Sequence, residues 1–542
     1  MSTALKSTGS TIQRPRLPSL ELQELFDRIE AAALDEKDLH SYQEMAIEWC
    51  MAHPRGALWI DMGLGKTIIM LTFLYRMIRL GKMRRALIVA PLRVARNTWP
   101  KEIKSWKHTA GLPFQLLRPE DDHPRLLDAY QDGYRSARSL GASPAAAAGA
   151  GQRQETAVRA DLFHEFVRDR SPIHIINEGA VPALVEHLGE KWFYETVVWD
   201  EASRLRDWKS VVFESTKYVS GRFRRFHELT ATPATQSYEA LFSQFFLLDY
   251  GERLGKFITH YRKEHFSPHP YVKNVWEFKE ETKDALLEKI ADLTLVMREE
   301  DYLPRDKPIF APAVISLSKK EMADYRAFEA TSILTTEAGH DIEAMNAASL
   351  WGKLLQYASG TVYDTKIEET DEEDVFNKVK TVHPIHDHKM EWLKDVAQDI
   401  QSPLLVVYWF KATKVRLKKQ FPKMVFLDRQ GSQEDDWNAG KIKMLAVHPQ
   451  GAGHGLNLQK GPGHHITLFD MFPSLELFRQ IIGRLARQGQ KNLVKVLVPL
   501  MAGTIDEDLW ADLMALDREY SHMRKRLLEI KARAKLDEAE GL

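Results

Sequence analysis

The sequence predicts an α/β protein built from two successive α/β units, and three observations point there. First, residues 57–77 read as strand, tight turn and helix: the apolar run Ala57-Leu58-Trp59-Ile60, the turn Asp61-Met62-Gly63-Leu64-Gly65, then an apolar-periodic segment opening at Lys66-Thr67. Second, further apolar runs end in polar or small residues: Ala86-Leu87-Ile88-Val89-Ala90 before Pro91, Ile173-His174-Ile175-Ile176-Asn177, and Val197-Val198-Trp199 before Asp200-Glu201. Third, the same pattern restarts at Leu404-Leu405-Val406-Val407-Tyr408 and continues through Met444-Leu445-Ala446-Val447 and Ile466-Thr467-Leu468-Phe469-Asp470.

A chain of 542 residues, 44% hydrophobic, is long enough for more than one core. Lys+Arg 75 against Asp+Glu 76 leaves almost no net charge, so a nucleic-acid partner would have to be met by a local basic patch. Cys50 is the single cysteine, which excludes an internal disulfide and a cysteine-based zinc site and suits a reducing cytoplasm. The first residues lack the apolar stretch of a signal peptide, and no run of apolar residues is long enough to span a bilayer.

The turn at residues 61–67 has the chemistry of a phosphate cradle. Gly63 and Gly65 let backbone N–H groups approach phosphates, and the helix start adds N–H donors and a positive dipole end. Lys66 would reach the β- and γ-phosphates, and the Thr67 hydroxyl would bind Mg²⁺. Upstream, Gln43 offers a donor and an acceptor together, which suits the edge of adenine. Downstream, the strand end at Asp200-Glu201 supplies one carboxylate for Mg²⁺, Asp200, and one to polarise water, Glu201. Thr230-Ala231-Thr232-Pro233 makes a hydrogen-bonding turn able to sense those carboxylates. In the second unit, Gly451 to Gly455 forms another glycine-rich turn. Arg484 and Arg487, three apart, share a face if helical and present guanidinium forks to phosphate oxygens. Residues 120–170, with a Gly/Ala stretch near Ser143 to Gln152, are expected to be a flexible insertion, and deleting Ala142 to Gly151 is expected to leave basal activity intact.

Taken together these motifs resemble a Swi/Snf-type ATPase of helicase superfamily two, from Leu39 to Gln490 and in the family's order. Leu39-His40-Ser41-Tyr42-Gln43 is similar to its adenine-reading motif, Asp61 to Thr67 to its phosphate loop, and Asp200-Glu201-Ala202-Ser203 to its Asp-Glu-Ala-His. Leu229 to Pro233 resembles its Leu-Thr-Gly-Thr-Pro, and Gln480 to Gln490 its arginine motif. Ser203 stands in place of His, and Phe472 in place of a frequent Trp. The compact length and residues 247–255 look like small bacteriophage or prophage members.

The resemblance implies two RecA-like lobes, mostly parallel sheets flanked by helices, with ATP and Mg²⁺ between them. Gln43, Gly63, Leu64, Gly65, Lys66, Thr67, Asp200 and Glu201 would come from the first lobe, and Gly455, Arg484 and Arg487 from the second. The expected division is a tail and short helix at 1–35, lobe 1 at 36–250, helical protrusions and linker at 251–385, lobe 2 at 386–515 and a basic helix at 516–542. The implied activity is a DNA-stimulated ATPase moving along double-stranded DNA without sequence preference. A strand-separating DNA or RNA helicase and a non-catalytic nucleic-acid scaffold remain the alternatives.

Overall fold

The structure, a computed structural model, describes residues 30–119, 123–234, 237–270, 275–303, 306–335, 341–344, 346–369, 376–428, 432–452 and 456–540. The first expected short helix falls mainly on residues outside this set.

Continuous apolar runs are what strands buried on both faces require, and here they assemble into two parallel sheets. The first is built from β1 (Arg55–Ile60), β2 (Ala86–Ala90), β3 (Phe114–Leu116), β4 (Ile173–Asn177), β5 (Thr196–Asp200) and β6 (Arg225–Thr230). After a small antiparallel hairpin, β7 (Phe266–Pro268) with β8 (Trp276–Phe278), the chain returns as β9 (Thr294–Met297). The order is β3-β4-β2-β5-β6-β1-β9, every neighbour parallel. Alternate residues feed opposite cores. Ala57, Trp59 and Trp199 pack on one side; Leu58, Ile60 and Val198 pack on the other, against the helix Lys66–Arg79.

The second sheet opens with β10 (Ile309–Ile315). Two antiparallel hairpins follow, β11 (Ile333–Thr335) with β12 (Asp341–Glu343), and β13 (Thr361–Glu369) with β14 (Phe376–Pro384). Then come β15 (Leu404–Val407), β16 (Val425–Phe426), β17 (Met444–Val447), β18 (His465–Leu468) and β19 (Lys495–Met501). The order is β10-β19-β18-β15-β17-β16, again parallel throughout. The mixed α/β class with two parallel, helix-flanked sheets is therefore the observed architecture. Residues 251–385 are less helical than expected: β9 completes the first sheet, β10 starts the second, and hairpins fill much of the rest. Glu368 and Glu369, which open an acidic stretch of the sequence, close β13.

The insertion corrects the sequence reading. Pro124–Ser139 and Pro144–Arg168 are two helices packed as an antiparallel hairpin. Alanine is the strongest helix former, Ser143 caps the second helix, and Pro144 sits in its first turn, where a missing N–H costs nothing. The glycines serve packing. A Cβ on Gly133 would lie 2.8 Å from Ala150 O, and one on Gly151 would lie 2.7 Å from Tyr130 O. Small residues thus replace the large side chains that the core of this hairpin has no room for.

Candidate active site

The carboxyl ends of β1, β5 and β6 deliver the first half of the site. After β1 the chain turns through Gly63 (φ +93°) and Gly65 (φ +80°), left-handed conformations that disfavour a Cβ. Gly65 directly precedes the helix Lys66–Arg79. Gln43, on the helix Ser41–Ala52, braces this turn: its Nε2 donates to Leu64 O at 3.2 Å and its Oε1 accepts from His40 N at 2.9 Å. Lys66 Nζ donates to Ile60 O at 2.9 Å. Burial lowers the pKa of Lys66, while Glu201, Asp200 and Asp61 oppose that shift.

Asp200 ends β5 almost fully buried, and Trp99 Nε1 donates to its Oδ2 at 2.9 Å. Burial, then repulsion from Glu201, pushes the Asp200 carboxyl up to about 6, against the pull of Lys66 and the Trp99 bond. Glu201 takes a left-handed conformation, φ 67°, unusual for a residue with a side chain. This twist departs from strand geometry, in which successive side chains must face opposite ways. Glu201 Oε1 accepts from Ser203 Oγ at 3.0 Å and from Thr230 Oγ1 at 2.9 Å, and Thr230 Oγ1 accepts from Thr232 N at 2.9 Å. The turn after β6 is thereby hydrogen-bonded to the carboxylate. Ser203, which stands where the resembled motif has His, spends its hydroxyl on the same oxygen.

The second half comes from across the cleft. Arg484 lies on the helix Leu475–Leu485 and donates to Leu456 O at 3.2 Å. Arg487 does not share that helix face, because the helix ends at Leu485 and Ala486 leaves helical geometry. It sits in the following turn and donates to Asn457 Oδ1 at 2.9 Å. The two guanidinium groups still come together. Burial first and Arg487 second lower Arg484 to about 9, with Glu201 opposing. Arg487 Cβ would be 3.7 Å from a Cβ placed on Gly63, so the second lobe abuts the phosphate turn. Lys66, Asp200, Glu201 and Arg484 therefore form one electrostatic group. Thr67 lies in the first turn of the Lys66–Arg79 helix. Gly455 lies outside the described residues.

Two residues here had no distinctive sequence signal. Trp99 orients Asp200 from another helix. Glu476, nearly buried, accepts from Gln480 Nε2 at 3.1 Å and lies 3.8 Å from Arg206 of the first lobe. Burial and then Glu201 push its carboxyl up to about 7, and Arg204 and Arg206 oppose this. Its four-residue spacing from Gln480 is visible in the sequence; its contact with the other lobe is not. Phe472, at the other departure from the motif, is buried and stacks on Trp409 with ring centroids 5.5 Å apart.

The donor set suits a hard divalent cation held jointly with phosphate. Asp200 and Thr67 offer oxygen ligands only, and Mg²⁺ commonly takes one or two protein oxygens beside phosphate and water. Among the described residues no cluster of three or more His, Cys, Asp or Glu could hold a metal unaided. Among them, too, no helix is long and apolar enough to cross a membrane.

Comparison with known proteins identifies the family. Residues 42–358, more than half of the chain, match the family model of the SNF2-related domain. "Putative protein p41" of Acyrthosiphon pisum secondary endosymbiont phage 1 is 30% identical over 482 residues, covering 86% of this chain and 93% of that one. Among solved structures, the Sulfolobus solfataricus SWI2/SNF2 ATPase core in complex with dsDNA overlays with a TM-score of 0.38 at 16% identity, covering 89% of this chain and 92% of that one. The core domain from the same organism gives a TM-score of 0.37 at 16% identity, covering 89% of each. These two overlays are too loose to add to the assignment, which rests on the family match and the phage relative. The chain belongs to the SNF2-related family, the Swi/Snf-type ATPases of helicase superfamily two.

Proposed function

We propose that this protein hydrolyses ATP in the cleft between its two lobes and uses the cycle to move along double-stranded DNA. The observation that carries the reading is the split site: Lys66, Asp200 and Glu201 on one lobe face Arg484 and Arg487 on the other. A site divided in this way is complete only when the lobes approach, which links each turnover to a relative movement.

Each side chain has a task its surroundings support. The turn at Gly63–Gly65 presents backbone N–H groups, and Lys66 would exchange its bond to Ile60 O for a phosphate oxygen. Gln43 keeps the turn in shape, and its amide would exchange one of its bonds to His40 N or Leu64 O to meet the base. Asp200 and Thr67 would hold Mg²⁺, which supplies charge neutralisation at the phosphates. Glu201, aligned by two hydroxyls, would orient and polarise the attacking water. Arg487, beside the phosphate turn, would stabilise charge developing in the transition state. Thr230 ties Glu201 to the buried turn that continues through Ala231 and Thr232, a direct link from the reacting centre to the turn after β6.

Family membership supports duplex DNA as the track. The near-zero net charge requires a local grip. Arg93, after β2, bridges to Gly451 O and to Asp428 O on the other lobe, so this side of the cleft is also shared. Lys411, Lys414, Lys418 and Lys419 lie on the helix Lys411–Gln420 and supply a basic face. Contacts of this kind are to phosphates, so binding should be independent of sequence and weaken steeply with salt.

The test is phosphate release with and without duplex DNA, for the wild type and Glu201→Gln. ATP hydrolysis stimulated by duplex and lost in Glu201→Gln is expected. Tight DNA binding without hydrolysis would favour the scaffold reading; stimulation by RNA alone would move the substrate to RNA.

A further inference from the structure

The helix Ile505–Glu540 belongs to both lobes at once. Its first turn is locked into the second lobe: Lys389 and Asp506, both buried, pair at 2.6 Å, and Ile505 N donates to the Tyr325 hydroxyl at 2.9 Å. Farther along, the same helix docks on the first lobe. The Tyr520 hydroxyl donates to Ala231 O, in the turn after β6. Arg524, 2% exposed, donates to the Asp61 carboxylate, to Trp59 O at 3.1 Å and to Met297 O at 2.7 Å. Arg526 pairs with Asp284 at 2.7 Å, and Lys531 donates to Thr294 O.

Asp61 is the first residue of the phosphate turn. One of its oxygens meets Arg524, the other accepts from Glu299 N at 2.9 Å, and its own N–H donates to Met297 O at 3.0 Å. Burial alone would raise the Asp61 carboxyl; Arg524 and the Glu299 N–H hold it below the ordinary carboxylate range. Arg524 therefore closes the carboxyl ends of β1 and β9 and fixes the residue from which the turn departs. The helix also touches the arginine-bearing element: Arg479 pairs with Asp517 at 2.6 Å, and its guanidinium lies 4.1 Å from the Tyr520 ring centroid.

We propose that Arg524 is a positioning residue for the phosphate turn, supplied by the second lobe, so that the turn is held in its nucleotide-binding shape only while the lobes are closed. The inference rests on the reading that the cleft binds and hydrolyses ATP. A buried guanidinium is tolerated because it is paired, and losing its carboxylate leaves an uncompensated charge. The helix between Asp506 and Arg524 is continuous, roughly 1.5 Å per residue. The lobes cannot separate with both ends of such a rod in place. Opening must withdraw Arg524 from Asp61, and closing must return it.

The test compares wild type with Arg524→Ala, Arg524→Lys, Asp61→Asn and the Arg524→Ala/Asp61→Asn pair. Phosphate release is measured against ATP concentration, alongside binding of a fluorescent ATP analogue. Arg524→Ala should raise KM and the analogue Kd by about 5- to 150-fold, the usual range of coupling between sites. Turnover at saturating ATP should change far less. Arg524→Lys, which keeps the charge opposite Asp61, should recover part of the loss. The double variant should be little worse than either single one. Unchanged KM and Kd in Arg524→Ala, with turnover lowered only in proportion to folded protein, would reduce Arg524 to a structural residue. If Arg524→Ala does not fold, unchanged affinity in both Arg524→Lys and Asp61→Asn would overturn the proposal equally. A wild type that binds the analogue without hydrolysing ATP would instead refute the catalytic reading, and the Kd comparison would still decide the role of Arg524.

Discussion

Replacing Gly65 by alanine tests the phosphate turn at its tightest point. Gly65 has φ +80°, and an added Cβ would stand 2.4 Å from Gln43 Nε2. The left-handed conformation costs a residue with a Cβ about 1–2 kcal/mol. Moving Gln43 aside breaks its bond to Leu64 O, worth about 0.5–1.5 kcal/mol. The sum, roughly 1.5–3.5 kcal/mol, is the free energy ATP must supply to restore a turn that relaxes without it. Nucleotide affinity should therefore fall by about 10- to 300-fold, at 1.4 kcal/mol per decade. Titration of a fluorescent ATP analogue measures this directly. Combining Gly65→Ala with Gln43→Ala removes the clash but not the backbone strain, so the double variant should lose less than the sum of the two single losses. Affinity of Gly65→Ala within twofold of wild type would refute the reasoning, as would strict additivity in the double variant.

Three further outcomes follow from the same geometry. Arg487→Ala should lower turnover at saturating ATP by about 10³–10⁵ while changing ATP affinity much less, as expected of an arginine acting on the transition state; a fall in affinity alone would make it a binding residue. Ser203→Ala should slow hydrolysis only by about 2- to 12-fold, one ordinary hydrogen bond, because Thr230 still donates to Glu201; Ser203→Ala with Thr230→Val should lose more than the product of the single effects in a phosphate-release assay. Glu228, on β6, is buried, and desolvation raises its pKa well above the ordinary glutamate value of 4.5. The unfolded chain then releases this proton at lower pH than the folded one, so Glu228 costs stability increasingly as pH rises above 4.5. Glu228→Gln should gain on wild type in urea unfolding as pH increases from 5 to 8, by at most about 1.4 kcal/mol per unit. A difference that does not vary with pH would show that the carboxyl does not stay protonated in the fold.

The sequence revealed most where burial on both faces demands uninterrupted apolar runs, as in β2, β5 and β15. It revealed least at the edges. β10 contains Pro312, which argues against a strand until its edge position is known; there a missing N–H is tolerated. Only three residues separate β9 from the helix Lys283–Ile290, so its apolar run reads as a continuation of that helix. The Gly/Ala insertion reads as flexible by composition, yet the same residues are strong helix formers, and Gly133 and Gly151 allow close helix contact. In the site, the phosphate turn and the Asp200-Glu201 pair were legible from local spacing. Trp99, Glu476 and Arg524 were not, because each acts across a long sequence separation. Within a Lys/Arg-rich helix, the buried Arg524 looks no different from its solvated neighbours.

Movement along the duplex is tested most directly by displacement of a triplex-forming strand from a plasmid or long duplex during ATP hydrolysis. The wild type should displace the third strand only with hydrolysable ATP and Mg²⁺, and Glu201→Gln, still able to bind ATP, should not. A wild type that hydrolyses ATP on duplex DNA but leaves the third strand in place, or that separates a plain forked duplex instead, would contradict a motor that travels along intact double-stranded DNA.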